Sequence, residues 1–520
     1  SLNNCKINDS IINPYKSDSP YESEKCFGSL VGYLNGGLAS NCSADNISIQ
    51  GVADNLGSLV GENSDAEITN CHASNINISG QSSIGGLIGF NRGTINQCSV
   101  KDVILEASKT SIGGFVGYYC GNITNSTVNN VSINGSDSSK VGGFIGSYSG
   151  SKKIENCSAT DINIVGSQYV GGFVGTTENA SGCVLSNNNV TGTVAATTIV
   201  GGFIGNVGSN NAEKQEIIAC YSECNVLPNV DDEGNISDWG YRGGFVGQLF
   251  NCNINECYSL GDIQSTRSTI GSFIGKMELS TISNCYTTGQ VSGDYNVGGF
   301  VALSSDSKGG NTLTISNCVA FNKEGVTGSG NEHINRFASE NDPTHKGNLD
   351  SINYENNYAY KDMVVKANGM IKGGESNAET LWGADIETLT DKDNLPLKNW
   401  DFGTVWEIKD GADRPTLQGV GNDDGLDVDN IPPIVNDKTI TIVTTSDDCI
   451  ELNWTKAADD TTTSSALQYR VYYSTSNNLD TIENIEKAIP AGSYEIDINT
   501  KKIEELQVNK QYYFNVIVED

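Results

Sequence analysis

A five-residue signature, Gly-x-(Leu/Phe)-(Val/Ile)-Gly, recurs along the N-terminal part of the chain at a nearly constant step. It begins at Gly28, Gly57, Gly85, Gly113, Gly142, Gly171, Gly201, Gly243 and Gly271, and a variant ending in Ala302 begins at Gly298. The steps are 29, 28, 28, 29, 29, 30, 42, 28 and 27 residues. Units this short cannot bury a core alone, so they must stack on one another. The repeat therefore overrides the usual inference that 520 residues make three or four globular domains. The single long step holds an insertion of about a dozen residues, placed within 206–241.

A second signature, Ile-x-Asn-Cys, follows each pentapeptide, as in Ile68-Thr69-Asn70-Cys71 and Ile154-Glu155-Asn156-Cys157. Cysteines 5, 42, 71, 98, 157, 220, 257, 285 and 318 share its last position, and Ser126 and Asn188 fill it in two copies. A third apolar alternation, such as Ile76-Asn77-Ile78, completes the unit. Three β-type stretches separated by Gly, Asn and Ser turns fit one coil of a parallel β-solenoid. The expected fold is all-β, with three short strands per coil and about eleven or more coils spaced about 4.8 Å apart. Equivalent residues then form ladders: thiols at the Cys position, Asn at a bend, and an inward stack of Phe115, Phe144, Phe173, Phe203, Phe245, Phe273 and Phe300. Inward Phe leaves Ile84 and Ile88 facing out unless the glycine pair bends the strand.

Gly28-Ser29-Leu30-Val31-Gly32 and Gly85-Gly86-Leu87-Ile88-Gly89, each followed by the Cys signature, resemble GLUG-motif repeats. Such repeats occur in large bacterial surface proteins, including adhesin-like proteins and non-catalytic parts of IgA-peptidase-like proteins. The resemblance covers 1–320 and continues more weakly over 321–420, an irregular continuation and C-terminal cap. Within it, the segment Trp400–Trp406 is expected to close the stack. The resemblance implies display at a bacterial cell surface or secretion, and it implies no activity.

Composition changes beyond that point. Residues 421–433 form an acidic linker ending in Ile431-Pro432-Pro433. From 434 to 520 the alternation reads as an antiparallel β-sandwich. Trp454 and the pattern Leu506…Tyr512-x-Phe514-x-Val516 resemble a fibronectin type III domain whose last strand is missing. Both ends of the chain read as cuts through a longer protein.

Chemistry is sparse. The chain carries 31 Lys and Arg against 63 Asp and Glu, a net charge of -32, which excludes nucleic acid as a partner. No apolar run reaches the roughly 18 residues that would span a membrane. There is no His-Glu-x-x-His zinc motif, and Gly271–Lys276 lacks Walker spacing. Asp102 and Asp161 read as isolated acids rather than the converging carboxylates of a glycosidase or lyase. His72 occupies a variable position after the Cys slot and reads as exposed. The slot cysteines read as buried free thiols filling space. Cys220/Cys224 and Cys252/Cys257 are the better candidates for disulfides or metal.

Two places could bind. The first is the insertion, with Trp239, Asp231 and Asp232, because a long loop on a rigid scaffold suits recognition. The second is calcium held by Asp429, Asp459 and Asp460, since hard cations take several carboxylate oxygens. The combined expectation is a non-catalytic stalk or adhesin segment binding a host or extracellular-matrix protein or a glycan. The alternatives are a carbohydrate-active β-helix enzyme or its accessory module, and the non-catalytic arm of a large surface peptidase.

Overall fold

The computed structural model describes residues 1–14, 26–208, 213–230, 234–266, 269–304, 313–330, 333–339 and 352–421, and most of 439–519. The chain divides into two units, Ser1–Gly425 and Leu426–Asp520.

The first unit is a parallel β-solenoid. One sheet stacks twelve short strands in strict chain order, from Leu2–Asn3 to Ile352–Glu355. Most carry the inward Ile of the Cys signature, as Ile68, Ile95 and Ile123 show in register, and Leu2, Ala39, Leu185 and Tyr354 take its place in the others. A second sheet stacks ten strands from Val31–Leu34 to Val301–Ser304, each starting within the pentapeptide. We number the rungs by the Cys-slot residue, from Cys5 in rung 1 to Asn357 in rung 12.

The remaining strand is not short. Over rungs 3–6 it runs continuously as His72–Gly85, Ser99–Gly113, Thr127–Gly142 and Ser158–Gly171. Two corners are folded inside it without breaking the pairing. Each corner is a single residue in the left-handed region, for example Asp102 (φ 56°) and Ser111 (φ 63°), or Asn130 (φ 55°) and Lys140 (φ 65°). A third left-handed corner precedes the Cys slot, at Asn41, Asn70, Asn125, Asn156, Asn187, Asn284 and Asn317. Asn and Asp tolerate this conformation better than other side-chain-bearing residues, which explains their recurrence. The solenoid of short strands read from the sequence holds, as Tyr258–Ser259, Ile263–Gln264 and Thr269–Gly271 show in rung 9, and only in rungs 3–6 do three such pieces run together.

The same geometry places the two acids. Register places Asp102 and Asp161 in one corner line with Asp9, Asn46, Asn75 and Asn130. Amides sit between the carboxylates: Asn46 Nδ2 donates to Asp9 (2.6 Å) and Asn130 Nδ2 to Asp102 (2.7 Å). These acids shape a corner and cap one another's neighbours.

The pentapeptide is a steric necessity. A Cβ on Gly113 would lie 2.1 Å from the Val116 carbonyl oxygen, and one on Gly114 would lie 2.1 Å from the Gly143 oxygen of the next rung. The glycine pair does bend the chain, so Ile84, Leu87 and Ile88 are all buried. The Phe rings stack inside as expected, with centroids 4.6–5.0 Å apart, and Phe337 extends the column.

The Cys slot has a role that spacing alone does not reveal. Each slot side chain accepts the slot N–H of the preceding rung. Cys71 Sγ accepts from Cys42 N (3.4 Å), Ser126 Oγ from Cys98 N (3.1 Å), Asn188 Oδ1 from Cys157 N (2.9 Å) and Asn357 Oδ1 from Cys318 N (3.1 Å). The thiols also donate to the carbonyl two residues back, as Cys257 does to Asn255 O at 3.2 Å. The residue is therefore a buried hydrogen-bonding bracket rather than an apolar filler, which is why Ser and Asn can replace Cys.

After rung 12 the chain ends the stack and turns back. Leu381 and Trp382 pack on the last rungs, and Val365–Ala367 pairs antiparallel with Met370–Ile371. Arg336 ties this cap down through Asp385 (2.6 Å) and the Gly383 carbonyl (2.8 Å). Trp400 and Trp406 do not close the end, contrary to expectation. They lie on the outer flank against Tyr258 and Tyr286.

The second unit has two small antiparallel sheets. Ile440–Ser446, Cys449–Trp454 and Thr500–Ile503 form one; Gln468–Ser474 and Tyr513–Glu519 dominate the other. Leu452, Trp454, Leu467, Tyr469, Val471 and Ile503 fill the space between them, as in a sandwich.

Candidate functional site

The ladder pairing locates the insertion. Ala196 and Val200 are four residues apart in rung 7, whereas their partners Pro228 and Arg242 in rung 8 are fourteen apart. Most of the extra chain is therefore residues 229–241, a loop at one corner of the solenoid. The rest lengthens the turn after Val207.

The loop is fastened at its base. Val230 and Ile236 form an antiparallel bridge, and Ser237 N donates to Asn229 O at 2.9 Å. Trp239 N donates to Thr197 O of the rung below at 2.9 Å, and Thr269 N of the rung above donates to Gly240 O at 3.0 Å. Loop backbone thus continues the ladder in both directions.

Two charged side chains inside the wall hold it. Arg242 occupies a rung position that is Val200 and Ile270 in the neighbouring rungs, and it is 0% exposed. Its guanidinium donates to Ala196 O (2.6 Å) and Leu227 O (3.2 Å), at the ends of the rung 7 strand and of the rung 8 strand that enters the loop. Burial pulls its pKa down to about 10, opposed by the charge of Asp238, so it stays protonated at neutral pH. Asp238 is 1% exposed and accepts from Thr266 N (2.7 Å) and Thr266 Oγ1 (2.9 Å). Buried charges held by hydrogen bonds in this way contribute definition of conformation more than net stability.

The buried pair sets the loop's outer face. Trp239 is 61% exposed, and Val230 and Ile236 are exposed beside it in sequence. Tyr295, on the same corner two rungs on, is 63% exposed. Trp239 is therefore exposed on a backbone hydrogen-bonded to the rung below. Asp231 and Asp232 lie outside the described residues, as do all three proposed calcium ligands, Asp429, Asp459 and Asp460. Sequence reasoning missed Asp238 and Arg242. The available signal was an Arg in a position otherwise held by Phe, Leu, Val or Ile.

The other candidates resolve differently. Cys220 and Cys257 are slot residues. Cys224 packs against Gly172, and Cys252 N donates to Ser280 Oγ. None of these four is in a disulfide. Among the described residues no group of three or more His, Cys, Asp and Glu is arranged to hold a metal. His72 is exposed, with Nδ1 2.8 Å from Ser99 Oγ. A cavity of about 540 Å³ lies between the last rung and the returning chain, lined by Asp385, Glu387, Asp391, Asp393 and Lys398. Asp385 pairs with Arg336 and Glu387 with Lys361, so half of its carboxylates already have counter-charges. Among the described residues no helix is long and apolar enough to cross a membrane.

Comparison with known proteins adds one family match. The model described as the GLUG motif matches residues 53–79, which contain one pentapeptide, one Cys signature and the alternation that follows. Among solved structures, one described as "a putative immunoglobulin A1 protease from Bacteroides ovatus" is similar over 68% of this chain and 86% of its own. The identity is 17% and the TM-score 0.38, too distant to bear on activity. No curated protein matches the chain.

Proposed function

We infer that the chain is a non-catalytic segment of a secreted or surface-displayed bacterial protein, in which the solenoid presents the 229–241 loop to a host protein or glycan. The observation that carries this is an exposed Trp239 on a loop whose base is held by two buried charged residues, Arg242 bonded to Ala196 O and Asp238 bonded to Thr266 N. A corner turn needs three residues, as Thr197-Thr198-Ile199 show in rung 7. A longer loop held by buried charges makes sense where a fixed outer surface matters, because preorganisation lowers the ordering cost of binding. An exposed Trp on fixed backbone suits both a sugar face and an apolar protein pocket.

The second unit serves as a spacer of fibronectin type III character. Tyr512 supports this, because its hydroxyl accepts the Gln507 N–H at 3.0 Å, the backward closure typical of a tyrosine corner. Surface display is the context in which GLUG repeats occur.

The test is a glycan and matrix-protein array probed with the full chain and with a variant whose 229–241 loop is cut to the rung 7 turn. Binding by the parent and none by the shortened chain supports the reading. A polysaccharide turned over by the parent, and not by Asp391→Asn with Asp393→Asn, would replace it with a carbohydrate-active one.

A further inference from the structure

The residue after the Cys slot points outward in every rung. In rungs 1–7 it is Lys6, Ser43, His72, Ser99, Thr127, Ser158 and Asn189. In rungs 8–12 it is Tyr221, Tyr258, Tyr286, Val319 and Tyr358. The first three tyrosines stack at 4.8 and 5.0 Å and are no more than 1% exposed, although they sit on the outside of the solenoid.

The returning chain covers them. Residues 387–421 form a strap whose Leu389, Leu397, Trp400, Trp406, Leu417 and Val420 make a second apolar core with the tyrosine ladder. The strap starts from a root paired to rung 12, Ala384–Ile386 on Tyr358–Tyr360. It then runs backward. Trp400 Nε1 donates to Asn317 O beside rung 11 (3.0 Å), and Tyr286 Oη of rung 10 donates to Pro415 O (2.6 Å). Gly421 ends against the Tyr221 ring of rung 8. Gly421, the last described residue of this unit, therefore lies on the flank of the solenoid.

We propose that this strap is a tension-releasable element: load drawn through the chain beyond Gly421 peels residues 387–421 off the tyrosine ladder before any rung gives way. The rungs are joined by continuous ladders of backbone hydrogen bonds, loaded together. The strand pairing of the strap, among its described residues, is its own hairpin of Trp406–Glu407 with Thr416–Leu417. Its hold on the solenoid rests on side chains met one after another from the loaded end. Contacts loaded in series fail in turn, and a peeled strap exposes Tyr221, Tyr258 and Tyr286 on an intact solenoid. The inference stands on the strap's position alone and does not require the loop to bind anything.

The test is to stretch the full chain between its termini in an optical trap. The expected result is a reversible event of roughly 100 Å, for about 35 residues at about 3.5 Å each less the span already covered. It precedes every rung-sized event of about 28 residues and is distinct from the larger step of the second unit. Tyr258→Ser with Tyr286→Ser, which copies the outer residues of rungs 4 and 6, should lower the force of this event and no other. Tyr286→Phe, which removes only the bond to Pro415, should lower it less and serves if the double variant fails to fold. Rung-sized losses before any 35-residue event would overturn the proposal, as would a strap event unchanged in both variants.

Discussion

At the scale of the residue, the slot illustrates how a side chain can be chosen for one buried backbone bond. The left-handed corner before each slot turns the slot N–H towards the next rung, and only a side-chain acceptor there reaches it. Cys285→Ala should leave Cys257 N without its partner and cost about 1–3 kcal/mol, whereas Cys285→Ser keeps an acceptor and should cost less. Urea midpoints of the two variants check this ordering. Burial pushes the Cys157 and Cys183 thiols up to about 12, so both are protonated and inert at neutral pH. A thiol pKa raised on folding gives stability that is complete below the unfolded value and lost as pH rises towards the folded one. Stability should therefore fall between about pH 9 and pH 12. Titration with an aromatic disulfide at pH 8 should find these thiols unreactive until denaturant is added. The sequence showed which residues share the slot, because cysteine, serine and asparagine keep one spacing. It did not show why, because acceptance of a backbone N–H has no signature in composition.

At the scale of the element, the Phe column is the part read most directly from sequence. Its period and its glycines dictate both depth and direction. Phe203→Ala removes a fully buried ring from the middle of the column and should cost about 3–5 kcal/mol; Phe203→Leu, the residue used at Leu59 and Leu87, should cost far less, as thermal melts would show. The long bent strands were not legible, because a single left-handed residue inside a paired strand looks like a turn between two strands. The strap was not legible for a different reason. Tyr221 and Tyr258 share a register with half-buried Ser99 and exposed His72, and only the distant Trp400–Val420 segment makes them core. In the loop, Asp238→Ala should leave the Thr266 N–H without the acceptor it has at 2.7 Å and cost about 1–3 kcal/mol. Hydrogen exchange at Trp239 N should quicken in that variant while Phe203 N keeps its protection.

At the scale of the whole molecule, periodicity determines the solenoid and its one interrupted step marks the loop. The interruption was visible as a step of 42 residues among steps near 28, and ladder pairing narrows it to 229–241. Net charge of -32 bears on solubility and self-repulsion and identifies no ligand. What the repeat cannot encode is the departure from itself: two buried charged residues in one rung wall and a loop that stands on them. The central claim is that this departure is a recognition surface. Labelled full chain and its Trp239→Ala variant, applied to intact mammalian epithelial cells and read by flow cytometry, test it most directly. The account predicts saturable binding by the parent and at least a tenfold weaker binding by the variant, with identical thermal melts. Equal binding by the two proteins would contradict it.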